Sequence, residues 1–110
     1  MGKYDGIIKY DKLIRDKIPE IMESRNTRYK IHTADETEYW EKLRQKLTEE
    51  YKEFSKEQNI DELSDLLEVI YAIADLKFGG VENLEKARKE KHEKHGGFEK
   101  RLILDETNNT

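Results

Sequence analysis

The chain has 110 residues, 42 % of them charged and 35 % hydrophobic, and its 25 acids and 21 bases leave a net charge of −4. That length fits a single domain spanning residues 1–110, and that composition excludes a large apolar core. Cysteine is absent, which excludes disulfides, thiolate nucleophiles and zinc–thiolate sites together. The weakly acidic balance argues against a nucleic-acid polymer as partner. No apolar run approaches the roughly 20 residues that span a bilayer, and no signal-like stretch follows Met1. Gly2 lacks a myristoylation motif because position 6 is Gly6, not Ser or Thr. A soluble, cytoplasmic protein with no membrane partner is expected.

In chain order, Ile7 to Tyr10 is a short extended candidate. Lys12 to Arg25 reads as a first helix, with Leu13, Ile14, Ile18, Ile21 and Met22 on its apolar side and Pro19 kinking or splitting it. Tyr29 to His32 alternates and predicts a strand. Thr33 and Glu36 form a capping box that opens a long helix to about Lys56. Its apolar stripe runs Trp40, Leu43, Leu47 and Phe54, and the missing member of that series is Glu50. A second capping box, Asn59 to Glu62, starts a helix that stops at Gly79 and Gly80. From Leu63 to Leu76 this helix is apolar on most of its circumference, which predicts a central position and a subunit interface. A last helix, Glu82 to Lys94, has only Val81, Leu84 and Ala87 as apolar contacts, and its stripe continues through Arg88, Lys91 and His95. Gly96 and Gly97 stop it, and Phe98 to Leu104 predicts a strand paired with Tyr29 to His32. The expected fold is mainly α, an antiparallel helical bundle with a small terminal β-sheet.

Four acids carry the chemistry. Glu50 with Glu53, and Glu62 with Asp65, are spaced i, i+3, which puts each pair on one helix face. The two pairs are symmetric about Glu57 and Gln58, so a turn there brings them to matching heights on facing helices. Four like charges meeting this way repel unless cations or protons neutralise them. An oxygen-only set suits Mg²⁺, with Mn²⁺ as substitute. An acid on an apolar stripe is costly unless paired or metal-bound, so Glu50 is the strongest member; Glu49 is an outer ligand, a base behind the ligands, or exposed. Solvated acid pairs such as Asp35–Glu38 and Glu90–Glu93 are the ordinary alternative. Lys12, Arg15 and Lys17, with Lys91, Lys94 and Arg101, are either solubilising charges or cations for a polyphosphate. His92 and His95 read as surface histidines, and the paired glycines as helix stops.

Glu49-Glu50-Tyr51-Lys52-Glu53 followed by Glu62-Leu63-Ser64-Asp65 resembles the EExxE…ExxD signature of the MazG-like all-α nucleoside triphosphate pyrophosphohydrolases. The flanks, Tyr10 to Glu20 and Lys91 to Phe98, are similar to a compact, phosphoribosyl-ATP-pyrophosphohydrolase-like branch of predicted house-cleaning enzymes, and the resemblance covers Tyr10 to Leu104. Only eight residues separate the two acidic motifs, fewer than in many relatives. The resemblance implies Mg²⁺-dependent cleavage of a nucleoside triphosphate between the α- and β-phosphates by a homo-oligomer. Glu50, Glu53, Glu62 and Asp65 would hold metal, Glu49 or Glu53 would orient water, and Lys12, Arg15, Lys17, Lys91 and Lys94 would meet phosphate. Two alternatives stay open: a phosphoribosyl-ATP pyrophosphohydrolase, and a non-catalytic metal-dependent nucleotide-binding or regulatory module.

Overall fold

A computed structural model describes residues 6–109; Met1 to Asp5, with the Gly2 discussed above, and Thr110 lie outside it. Four helices follow in order: α1 (Ile18–Ser24), α2 (Glu36–Glu57), α3 (Ile60–Lys77) and α4 (Val81–His95). The chain is mainly helical, as expected. None of these helices is long and apolar enough to cross a membrane.

The expected first helix is shortened to its second half. Proline lacks an amide hydrogen and its ring collides with the preceding turn, so it is tolerated only in a first turn. The helix therefore begins at Ile18, which puts Pro19 in that turn, and Lys12 to Lys17 become a non-helical segment. Asn26, at φ 56°, ends the helix in the left-handed region that Asn tolerates. Asp35, not Thr33, caps α2: its carboxylate accepts the Glu38 amide at 2.8 Å, where a negative group also meets the positive helix end.

The reversal between α2 and α3 takes two residues. Gln58 adopts the left-handed conformation, φ 51°, and its amide donates to the Phe54 carbonyl. Asn59 then caps α3, accepting the Glu62 amide at 2.9 Å. So short a connection makes α2 and α3 antiparallel, and they form the main packing pair. Gly79 and Gly80 make the next turn, both with positive φ. A side chain on Gly79 would strike the Asn83 amide, which donates to the Phe78 carbonyl.

Three expectations are corrected. No strand forms among the described residues, so the terminal sheet is absent. Phe98 to Leu104 is broken by a turn, in which the Arg101 amide donates to the Phe98 carbonyl and Arg101 takes φ 58°. Side chains of the other segment are tied to nearby helices instead, Tyr29 to Glu23 and His32 to Glu38. The helices do not close into the expected bundle: α1 packs on none of the others, and α4 meets only α3. With three apolar residues, α4 packs through Val81 and Leu84 and leaves Arg88, Lys91, Lys94 and His95 exposed, so its stripe does not turn basic against a core. As expected of a central helix, α3 meets both α2 and α4, and it leaves Leu63, Leu67 and Tyr71 exposed.

The apolar core among the described residues is therefore small: Leu43, Val69 and Ala74. Leu43 is the largest side chain in it, at 1 % exposure. Truncating a fully buried leucine removes its transfer free energy and leaves a cavity, together about 2–5 kcal/mol. Leu43→Ala is expected to lower the urea midpoint by that equivalent, a large share of the stability a domain of this size commands. A midpoint unchanged by Leu43→Ala would mean that the α2–α3 contact does not hold the fold.

Candidate functional site

The turn at Gln58 and Asn59 sets the register of the hairpin, and that register decides which acids meet. Glu50 on α2 and Glu62 and Asp65 on α3 each offer a carboxylate oxygen, and the three oxygens lie within 4.8 Å of one another. Glu50 stands on the same stripe as the buried Leu43, and its side chain is only 12 % exposed. Glu53, expected as the fourth ligand, is exposed and outside this group. Its charge still reaches Glu62.

Cations surround the acids. Arg15 crosses from the N-terminal segment to Asp65 at 2.7 Å, and Lys12 reaches Glu49 at 3.4 Å. Lys46, one turn before the acids on α2, lies 2.6 Å from Glu49 and 3.5 Å from Glu50. Its side chain is 18 % exposed. Sequence reasoning missed Lys46, although its i+3 and i+4 spacing to Glu49 and Glu50 was the available signal. Lys42 fixes the start of the N-terminal segment by donating to the Asp11 carbonyl at 2.8 Å. Lys17, Lys91 and Lys94 form no ion pair among the described residues, and all three are exposed. Of the five lysines and arginines assigned to phosphate, the fold thus brings Lys12 and Arg15 to the acids.

The two motifs differ in electrostatics. Glu49 is held below the ordinary carboxylate range, first by its hydrogen bond to Lys46 and then by the charges of Lys46 and Lys12. Glu62 is pushed above that range by partial burial and by the negative charges of Asp65, Glu53, Glu50 and Glu57. It forms no ion pair among the described residues. The uncompensated negative charge of the cluster is thus concentrated at Glu62.

This donor set fits a hard divalent cation. All three donors are carboxylate oxygens, a donor type that suits hard cations such as Mg²⁺, Ca²⁺ or Mn²⁺. Two oxygens on one Mg²⁺ stand at most about 4.2 Å apart, twice the metal–oxygen bond. The three oxygens, all within 4.8 Å of one another, would have to draw closer to share one ion directly, or one of them would act through water. An open groove of about 450 Å³, lined by Tyr39, Glu68, Tyr71, Ala72, Asp75, Leu76 and Val81, includes none of these acids.

No family model, curated protein or solved structure matches this chain.

The opposite shifts give opposite pH dependences. Folding tightens the Glu62 proton, so protonation of Glu62 favours the native state. That benefit is complete below the ordinary carboxylate range and is lost as pH rises through the raised value. Folding loosens the Glu49 proton, so its contribution is present above the ordinary range and is lost as pH falls through the lowered value. In metal-free protein, Glu62→Gln is expected to gain melting temperature over the parent as pH rises from about 4 to about 7. Melting curves across that range check it, and a difference independent of pH would contradict the repulsion at Glu62.

Proposed function

We propose that this chain is a Mg²⁺-dependent nucleoside triphosphate pyrophosphohydrolase that cleaves between the α- and β-phosphates, works as a homo-oligomer and acts on non-standard nucleotides. The observation that carries the reading is the convergence of Glu50, Glu62 and Asp65 from two helices, with Arg15 seated on Asp65. Its motif similarity to the MazG-like pyrophosphohydrolases supplies the substrate class and the bond cleaved. The exposed apolar face of α3 supports self-association.

Glu50, Glu62 and Asp65 would hold the metal, with Glu53 one helical turn beyond Glu50. Bound there, Mg²⁺ supplies charge neutralisation for the triphosphate oxygens. Lys12 and Arg15 stand beside the acids and supply further positive charge, in a fork geometry in the case of Arg15. Glu49 is poorly suited to accept a proton: its carboxylate is already engaged by two ammonium groups and its basicity is lowered. Its role is to anchor Lys12 and Lys46. Glu53, exposed and without an ion pair among the described residues, is the carboxylate that would orient the attacking water.

A panel of nucleotides assayed for pyrophosphate release, with and without Mg²⁺, tests the reading. Metal-dependent release of a monophosphate and pyrophosphate supports it. Turnover confined to phosphoribosyl-ATP would favour the phosphoribosyl-ATP pyrophosphohydrolase, and nucleotide binding without turnover would favour a regulatory module.

The metal assignment has its own test in one variant. A ligand that binds only the folded state, at one hundred times its Kd, adds about 2.7 kcal/mol. For a domain of this size, that raises the melting temperature by roughly 10–20 °C. Mg²⁺ is expected to raise the parent in this way, and Glu50→Gln to abolish both hydrolysis and most of the metal effect. Glu50→Gln removes one repelling charge, so the metal-free variant is expected to be at least as stable as the metal-free parent. Parent-like turnover and parent-like metal response in Glu50→Gln would sink the metal site.

A further inference from the structure

The chain is too extended for its length. A compact domain of 110 residues has a radius of gyration of about 13 Å; here it is 19.7 Å, with extents of 72 × 31 × 27 Å. Two apolar elements stay uncovered as a result. On α3, Ile60, Leu63, Leu67 and Tyr71 recur at steps of three and four and are all exposed. Beyond α4, Phe98 is 97 % exposed, and Leu102, Ile103 and Leu104 follow it into solvent.

The two elements also match in charge. Tyr71 joins the α3 stripe to the open groove, whose acidic walls are Glu68 and Asp75. Neither acid has an ion pair among the described residues. The C-terminal segment carries Lys100 and Arg101 between Phe98 and Leu102, and neither of those has one. A groove with two unpaired acids beside an apolar stripe is therefore complementary to an apolar segment with two unpaired bases. Each would cover what the other leaves exposed, and a reciprocal exchange between two copies closes with two-fold symmetry.

We infer that a second copy of this chain docks on the Leu63–Leu67–Tyr71 face of α3. Its segment 98–104 enters the groove beside Tyr71, and Lys100 and Arg101 meet Glu68 and Asp75. The inference rests on the self-association proposed above and specifies the surfaces that meet. Leu102, Ile103 and Leu104 supply the buried apolar area, and the paired charges fix direction and register. The acids at Glu50, Glu62 and Asp65 take no part in the contact.

The absence of cysteine in the parent allows a direct test. The doubly substituted chain Tyr71→Cys, Leu102→Cys is oxidised under mild conditions and run on a non-reducing gel. A covalent dimer is expected. A covalent monomer of altered mobility would mean that the segment folds back on its own groove, and the absence of any cross-link would mean that it docks on neither; both overturn the inference.

Light scattering of cysteine-free variants gives a second measure. Lys100→Glu with Arg101→Glu is expected to weaken dimerisation roughly tenfold or more, since each attraction becomes a repulsion. Adding Glu68→Lys and Asp75→Lys is expected to restore it, which a merely misfolded variant would not do. A dimer indifferent to the reversal, or a reversal that the compensating pair does not rescue, overturns the docking surface while leaving self-association standing. A parent chain that is monomeric at the concentrations of the nucleotide assay overturns both. Pyrophosphate release, measured separately, reports on the hydrolase reading by itself.

Discussion

The two-residue reversal at Gln58 and Asn59 is the constraint on which the rest of the molecule depends. One left-handed residue and one side-chain cap turn the chain without slack, so residues equidistant from the turn meet at fixed heights. A longer connection would allow α3 to slide or rotate against α2. Here Glu50 faces Glu62 and Asp65 because the backbone leaves little choice, and the repulsion among them is offset by the packing of the two helices. The reversal is thus also where fold and chemistry meet. The same local hydrogen bonds that end one helix and begin the next bring the negative charge together.

Much of this was legible because it is local. The Asn59 cap, the turn, and Glu50 in the place of an apolar residue are all read from residues within a few positions of one another. Glu62 and Asp65 follow from the same turn by symmetry. Glu53 does not join them, because it lies one turn further along α2, where the side chain is open to solvent. Symmetry about a turn gives heights along two helices; it does not say which side of each helix faces inward. The shift of the α2 cap from Thr33 to Asp35 is a small error of the same kind, a choice between two nearby cap residues settled by the stronger acceptor.

The misreadings concern partners distant in sequence. Alternation at Tyr29 to His32 describes a strand only if another strand lies beside it, and Phe98 to Leu104 turns at Arg101 before it could serve. Arg15 meets Asp65 across 50 residues, a contact that helical periodicity would have obscured. Had Lys12 to Arg25 been one helix, Lys12 and Arg15 would have been held on a rigid rod. Pro19 prevents that, and the non-helical stretch before it is free to lay both cations on α2 and α3. The basic end of α4 misled for the opposite reason. Its stripe continues in sequence after the last apolar residue, but packing stops where the apolar residues stop.

The arrangement of charge has a consequence for how the site holds together. Lys12, Arg15 and Lys46 already accept part of the charge of the acids, and exposed pairs of this kind contribute little stability singly. Their larger effect is positional. Lys46 lies on the same helix as Glu49 and Glu50 and cannot leave. Lys12 and Arg15 arrive on a segment that Lys42 also holds at Asp11 and that half-buries Leu13 and Ile14. A divalent cation at Glu50, Glu62 and Asp65 would compete with Arg15 for Asp65, the one carboxylate both require. Released from that contact, Arg15 would remain tethered a short distance from the metal, its guanidinium available to an anion that the metal alone cannot neutralise. On the proposed metal-bound reading, the N-terminal segment would thus serve as a counter-ion for the acids and as a source of positive charge once they held a cation, with Asp65 as the shared partner.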